Sequence, residues 1–310
     1  MDIGGLKPSF GGHEKFVFRH GWLKKGVDAV RENPLIFTHD DALTILGVGK
    51  NMVRSIRHWC LVMGLLEEKE GSGLAKPLTP TALAKKLVFE KGWDPYFEDS
   101  GSLWLLHWQL TSNLTRGLVW NLVFSTYLES EFTKKQLHSF LAKQLEQTGV
   151  HTTSGSIERE IDCCLHTYVP AIRSKPGGIS EESLDCPLAE LDLVRYISDD
   201  NVYRFNVGPK MSLPLGIFGF ALLSFLPKVI TTRRTVAVDE CVYHQGSPGQ
   251  VFKLDENSVI EYLENMEELT KGKMRLQETA GLRQIYLEES VGSSLDKYAF
   301  DILKGHYEHK

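Results

Sequence analysis

The sequence predicts a mainly α-helical fold with small β wings, in which winged-helix and helix-turn-helix modules are joined by helical packing segments. Three observations lead there. The stretch from Lys50 to Met63 divides into two arcs when wound at about 100° per residue. Lys50, Asn51, Arg54, Arg57 and His58 fall on one arc, and Met52, Val53, Ile56, Trp59, Cys60 and Met63 on the other. A glycine turn, Gly47-Val48-Gly49, joins this stretch to a shorter amphipathic one before it. A second pair of helical patterns follows about residues 133–170, opened by Thr133 and Gln136 in capping-box spacing.

The elements follow in order. Thr38 and Asp41 have the spacing of a capping box ahead of the short helix. After the basic helix, Leu65-Leu66-Glu67-Glu68, a Gly71-Ser72-Gly73 turn and Leu74 to Leu78 read as a hairpin, the candidate wing. Thr79 is then expected to cap a helix with Pro80 at its first position. Residues 38–88 thus form the predicted winged helix. Trp93 to Tyr127, with Trp104, Leu105, Leu106, Trp108 and Trp120, reads as two buried helices. Ser156 is expected to lead a helix with Ile157, Ile161, Cys164, Leu165 and Tyr168 inward and Glu158, Arg159, Glu160 and Asp162 outward. Pro176-Gly177-Gly178 marks a linker over 174–180. It divides an N-terminal domain, 1–173, from an α+β domain, 181–310. In the latter, strands are expected at Val202–Val207 and Thr235–Tyr243. A buried helix is expected within Leu213–Leu226, a capped helix at Asp255–Leu269, and a final helical run after Met274-Arg275-Leu276.

The chain has 310 residues and a formal net charge of -5. Its length implies about two domains. The acidic balance argues against non-specific polyanion binding as the main activity and is compatible with one local nucleic-acid face. No acid occurs from Ala42 to Leu66, so the Lys50–His58 arc reads as a placed DNA contact. The competing reading is a solvated basic helix face. Five cysteines, an odd number with two adjacent, indicate reduced thiols rather than a disulfide framework. No basic-then-apolar leader is recognisable, and Leu213–Leu226 is too short to span a bilayer. A cytoplasmic protein without a membrane role is expected.

The segment Gly11 to Lys25 crowds His13, Glu14, Arg19, His20, Lys24 and Lys25 around Phe16, Phe18 and Trp22. His13 and Glu14 supply acid/base chemistry, and Arg19 and Lys24 can hold a phosphate. A strand over Lys15–Arg19 would turn Phe16 and Phe18 inward; the competing reading pairs Glu14 with Arg19 at a helix start. A zinc-protease motif fails, because Val17 stands where the second histidine is required. Gly47-Val48-Gly49-Lys50 fails as a phosphate loop, because Thr44 replaces the first glycine and Asn51 follows the lysine. Asp94, Glu98 and Asp99 could bind a divalent ion, but the preferred reading is acids favoured at a helix N-terminus by the dipole. The same holds for Asp185 and Glu190.

Longer motifs carry a resemblance. Gly12-His13-Glu14 through Gly21-Trp22-Leu23-Lys24-Lys25-Gly26 resembles the opening of the bacterial "domain of unknown function 4007" family. So do Leu46-Gly47-Val48-Gly49-Lys50-Asn51-Met52-Val53, Asp94-Pro95-Tyr96 with Leu103 to Trp108, Ser183 to Leu188, and Glu278 to Gln284. Where relatives are expected to read Thr-Phe-Pro, this chain has Lys15-Phe16-Val17. The resemblance covers nearly the whole sequence. It implies a place beside DNA phosphorothioation genes. In systems of the Ssp type a component of this family is regarded as a DNA nickase, and a nick would give access to a single strand for sulfur insertion. The implied partners are double-stranded DNA, a cysteine desulfurase, an ATP-pyrophosphatase-like sulfur-transfer protein and an ATPase. Expected roles follow. Lys50, Asn51, Arg54, Arg57 and His58 dock the duplex, and His13, Glu14, Arg19 and Lys24 act at the scissile phosphate. A divalent metal, Mg or Mn, suits that chemistry, though no ligand spacing specifies one. The alternative is a non-catalytic DNA-binding adaptor or transcriptional regulator of the same system.

Overall fold

The computed structural model describes residues 5–69, 76–170, 186–230, 235–279, 281–288 and 294–308. The expected linker at 174–180 and the expected turn at Gly71-Ser72-Gly73 lie outside these residues. The chain forms two compact units. One comprises residues 1–122 and 129–204, the other residues 123–128 and 205–310. Helices dominate both, with three small sheets.

The first unit opens with α1 (Trp22–Glu32), which buries Trp22, Leu23, Val27 and Val30. Next come α2 (Ala42–Leu46) and α3 (Lys50–Val62), joined across Gly47, whose φ is +64°. The Thr38–Asp41 capping box does not form. Thr38 ends a 3-10 turn and donates to Leu35 O, and Asp41 makes no side-chain cap. A hairpin follows directly. β1 (Leu66–Glu68) pairs antiparallel with β2 (Leu78–Pro80), Leu66 facing Pro80 and Glu68 facing Leu78. Thr79 and Pro80 therefore belong to the strand. Thr81, two residues later than expected, caps α4 (Ala82–Leu87) by accepting from Ala84 N at 3.1 Å.

The core of this unit is α5 (Ser100–Ser112) and α6 (Leu118–Ser125); the division between the units falls within α6. Trp104, Leu105, Leu106, Leu110, Trp120 and Leu122 are buried. α5 is apolar around its circumference, as a helix enclosed on all sides must be. β3 (Glu131–Phe132) precedes α7 (Lys134–Gln147), which carries the predicted Thr133–Gln136 capping box. α8 (Ser154–Tyr168) starts before Ser156, because Thr153 is the cap that accepts from Ser156 N at 3.2 Å. Its inward residues are those expected, joined by Cys163, Thr167 and Glu160, the last 3% exposed rather than outward. β4 (Val194–Ile197) and β5 (Val202–Phe205) complete a three-stranded sheet with β3, in the order β3-β5-β4.

The second unit centres on α9 (Leu215–Phe225), the predicted apolar helix, with most of its residues buried. Of the strand expected at Thr235–Tyr243 only β6 (Thr235–Ala237) forms. Glu240 then accepts from Ala237 N and starts α10 (Val238–Tyr243). After α11 (Pro248–Val251) comes α12 (Glu256–Leu269), capped by Asp255 as expected. Beyond it, where a helical run was expected directly after Met274-Arg275-Leu276, lies a hairpin. β7 (Met274–Thr279) pairs in full with β8 (Leu282–Leu287), giving the order β6-β8-β7. α13 (Leu295–Glu308) closes the unit against α9. No helix among the described residues is long and apolar enough to cross a membrane.

Candidate nucleic-acid interface

α3 presents its basic arc as the helical period requires. Lys50, Asn51 and Arg54 are exposed and Arg57 is half-buried, while Val53, Ile56, Trp59 and Cys60 are buried. Trp59 anchors the helix. Its indole Nε1 donates to Phe16 O at 2.9 Å, and its ring meets Phe18, His58 and Trp120 at centroid distances of 5.5, 5.5 and 5.7 Å. At the other end Gly49, in extended conformation, is an N-cap without a side-chain acceptor. The first-turn N–H groups, beside exposed Lys50 and Asn51, therefore make an electropositive end suited to an anion. This end faces an open groove of about 650 Å³ lined by Phe16, Leu43, Gly47, Val48 and Met52.

His58 departs from the expected arc. Its ring is turned into the core, and among the described residues Nε2 has no hydrogen-bond partner. Burial, then the neighbouring charges of His13, Arg116 and Arg57, drive its pKa down from 6.5 to about 3. A neutral, enclosed imidazole is not a phosphate contact.

The reason is the segment that crosses α3. Residues 11–15 are a tight turn, and the strand expected over Lys15–Arg19 does not form. Glu14 and Lys15 have φ of 50° and 68°, and the turn is fastened by Lys15 N donating to His13 Nδ1 at 3.1 Å. Phe16 O then accepts from Ser55 Oγ as well as from Trp59. His13 faces inward, 1% exposed, with Nε2 3.2 Å from Glu160 Oε1. Gly11 N donates to the same oxygen at 2.6 Å. The segment thus straps α3 to α8.

The four residues expected at a scissile phosphate have four different partners. His13 has Glu160. Glu14 reaches Arg54 at 3.3 Å, not Arg19. The Arg19 guanidinium lies over the Phe16 and Trp22 rings, at 6.0 and 5.2 Å. Lys24 pairs with Asp28 at 2.5 Å within α1. Glu14 alone of the four touches a residue of the basic arc in the ion pairs described.

Two of the carboxylates suggested for a metal, Asp94 and Asp99, hold backbone N–H groups instead. Asp94 accepts from Glu98 N and Asp99 N, both at 3.0 Å, and Asp99 caps α5 by accepting from Gly101 N. Among the described residues no three His, Cys, Asp or Glu side chains gather where they could hold a metal ion. The thiols of Cys60, Cys163 and Cys164 are buried, and burial raises the pKa of each, so they are protonated and inert.

The sequence reading missed one cationic group. Glu68, at the end of β1, receives Arg57 at 2.9 Å, Arg116 at 2.8 Å and Lys76 at 3.5 Å. The Arg116 hydrogen bond is the first cause, and Arg57 adds to it, of a Glu68 pKa lowered to about 2. The available signal was Asn113-Leu114-Thr115-Arg116-Gly117, a turn sequence between two apolar helices.

Fold and site together define a mainly helical protein in which a helix, a glycine turn and a second helix present a cationic helix end beside an open groove. The family model described as protein of unknown function (DUF4007) matches residues 10–307, and the chain belongs to this family. Two solved structures, "Magnesium ion-bound SspB crystal structure" and "SspB crystal structure", are similar to it. Each has a TM-score of 0.87 and 31% identity, covering 97% of this chain and 88% of the other. The comparison with curated proteins found no match.

Proposed function

We propose that this chain binds double-stranded DNA and serves a phosphorothioation system of the Ssp type, where it nicks one strand to admit sulfur. The carrying observation is the uncapped N-terminus of α3, with Lys50 and Asn51 exposed beside it and the groove open in front. On this reading α2, α3 and the β1–β2 hairpin act as a winged helix. The α3 amides and Lys50 hold a phosphate, Asn51 reaches the groove edge, and Arg54 follows one turn later. The similarity to the SspB structures supports the system. The ATP-pyrophosphatase-like sulfur-transfer protein, the ATPase and the cysteine desulfurase of that system are the proposed partners. Glu14 stands at the edge of the docking face and is the proposed proton acceptor, with Arg54 beside it to steady the phosphate charge.

A second reading, a non-catalytic adaptor, is favoured by the separate partners of His13, Glu14, Arg19 and Lys24. One experiment separates the two. Conversion of supercoiled plasmid to open circle is followed with and without Mg or Mn, beside a binding titration on the same duplex. Lys50→Gln with Asn51→Ala should abolish binding and nicking together. Glu14→Gln should abolish nicking and leave binding intact. Binding without nicking by the wild type, with partners present, would establish the adaptor. No binding at all would refute both readings.

A further inference from the structure

Three cations from three separate elements converge on one carboxylate at the far end of α3. Arg57 comes from α3, Arg116 from the turn before α6, and Lys76 from the segment leading into β2. One negative charge against three positive ones leaves an excess of two. The site is open to solvent in part, since the side chains range from 21% exposure at Arg116 to 60% at Lys76. Such an excess has no stabilising use by itself, because like charges held together repel.

The cluster is built on rigid parts. Asn113 Nδ2 donates to Leu61 O and Val62 O, the last carbonyls of α3, at 3.4 and 3.2 Å. Its Oδ1 accepts from Thr115 N and Arg116 N, at 3.2 and 3.0 Å. Arg116 is therefore placed relative to α3 by a doubly bonded amide. Gly117 must be glycine, because a Cβ there would lie 2.3 Å from Leu110 O. The His58 ring behind the cluster feels the same positive field, with Arg116 and Arg57 both opposing its proton.

The spacing also suits a duplex. Arg57 lies seven residues beyond Lys50, which is about 20° short of two full turns and a rise of about 10 Å. Both therefore lie on one face, separated by nearly the ~12 Å width of the major groove. We propose that Arg57, Arg116 and Lys76 form a clamp for a second backbone phosphate of the DNA, with Glu68 holding the guanidinium groups in place until the duplex arrives. This rests on the reading of α3 as the docking helix and adds Arg116 and Lys76 to it.

The test is a salt titration of duplex binding by the whole protein, from about 50 to 200 mM, for wild type, Arg116→Gln, Lys76→Gln and Glu68→Gln. Each lost phosphate contact should lower the slope of log K against log salt by about 0.9. Arg116→Gln and Lys76→Gln should each show a reduced slope and affinity, while Glu68→Gln should bind several-fold more tightly. Lys76, the most exposed member, keeps the test independent of folding, and thermal unfolding checks all variants. Wild-type slopes in both Arg116→Gln and Lys76→Gln would overturn the clamp. If Lys50→Gln with Asn51→Ala still abolishes binding in that case, the α3 reading stands and only the clamp falls. Saturable binding of inorganic phosphate, lost in Arg116→Gln while duplex slopes stay unchanged, would assign the cluster to a free anion and overturn the proposal. Failure of the wild type to bind any duplex would overturn the α3 reading and the clamp together.

Discussion

Replacing His58 by Gln should flatten the acid side of the stability profile. In the folded chain the His58 pKa lies at about 3, and its ordinary value is 6.5. Between these values the unfolded chain binds a proton that the folded chain refuses. Stability is therefore full above about pH 6.5 and falls as the pH drops below it. Each pH unit inside the window costs about 1.4 kcal/mol, so at pH 5 the loss reaches about 2 kcal/mol relative to pH 7.5. The groups facing the ring are His13 from the strap, Arg57 from its own helix and Arg116 from the turn before α6. Gln has similar reach and does not titrate, and the three neighbours remain. The difference between wild type and His58→Gln thus isolates one proton. Urea unfolding at several pH values, extrapolated linearly to water, measures it. The gap between the two proteins should change by about 2 kcal/mol between pH 7.5 and pH 5, the variant gaining on the wild type as the solution becomes more acidic. A gap that stays constant over this range would mean that His58 takes up its proton without penalty, and the enclosure of its ring would be refuted.

Two further outcomes follow from packing. Trp59→Ala should destabilise the chain by about 3–5 kcal/mol, since it removes a fully buried indole and its hydrogen bond to Phe16 O, while DNA affinity per folded molecule stays unchanged. A stable Trp59→Ala protein that no longer binds would show the two faces of α3 to be exchanged. Gly117→Ala should cost about 1–3 kcal/mol, because the obstacles to a Cβ are the Leu110 and Asn113 carbonyls, which are backbone and cannot swing aside; a Tm equal to wild type would show that the turn before α6 is not built as described.

What the sequence by itself determined is local. The two arcs of α3 follow from a period of about 3.6 residues, the Thr133–Gln136 cap spans one turn, and Gly47 supplies a conformation that the turn requires. The enclosure of α5 and α9 follows from runs with no polar face. Elements went astray where two local signals competed. Thr79-Pro80 looks like a helix start and is the end of a strand paired with Leu66 and Glu67. The segment after Met274 hides a strand whose partner comes from the same hairpin, with exposed Leu282 at its edge. Tertiary structure alone decided which charges are spent and which remain. Asn51 and His58 lie within about 20° of each other on the helical wheel. Yet the strap from Gly11 to Phe16 covers His58 and leaves Asn51 open. That strap is held by Glu160, 149 positions from Gly11, on a helix whose charged positions gave no sign that one faced inward. Arg57 and Arg116 share Glu68, although Arg116 lies 48 positions from it. The physical reason is that helical period and capping act over a few residues. The partner of a charged side chain is set by which distant backbone folds back beside it.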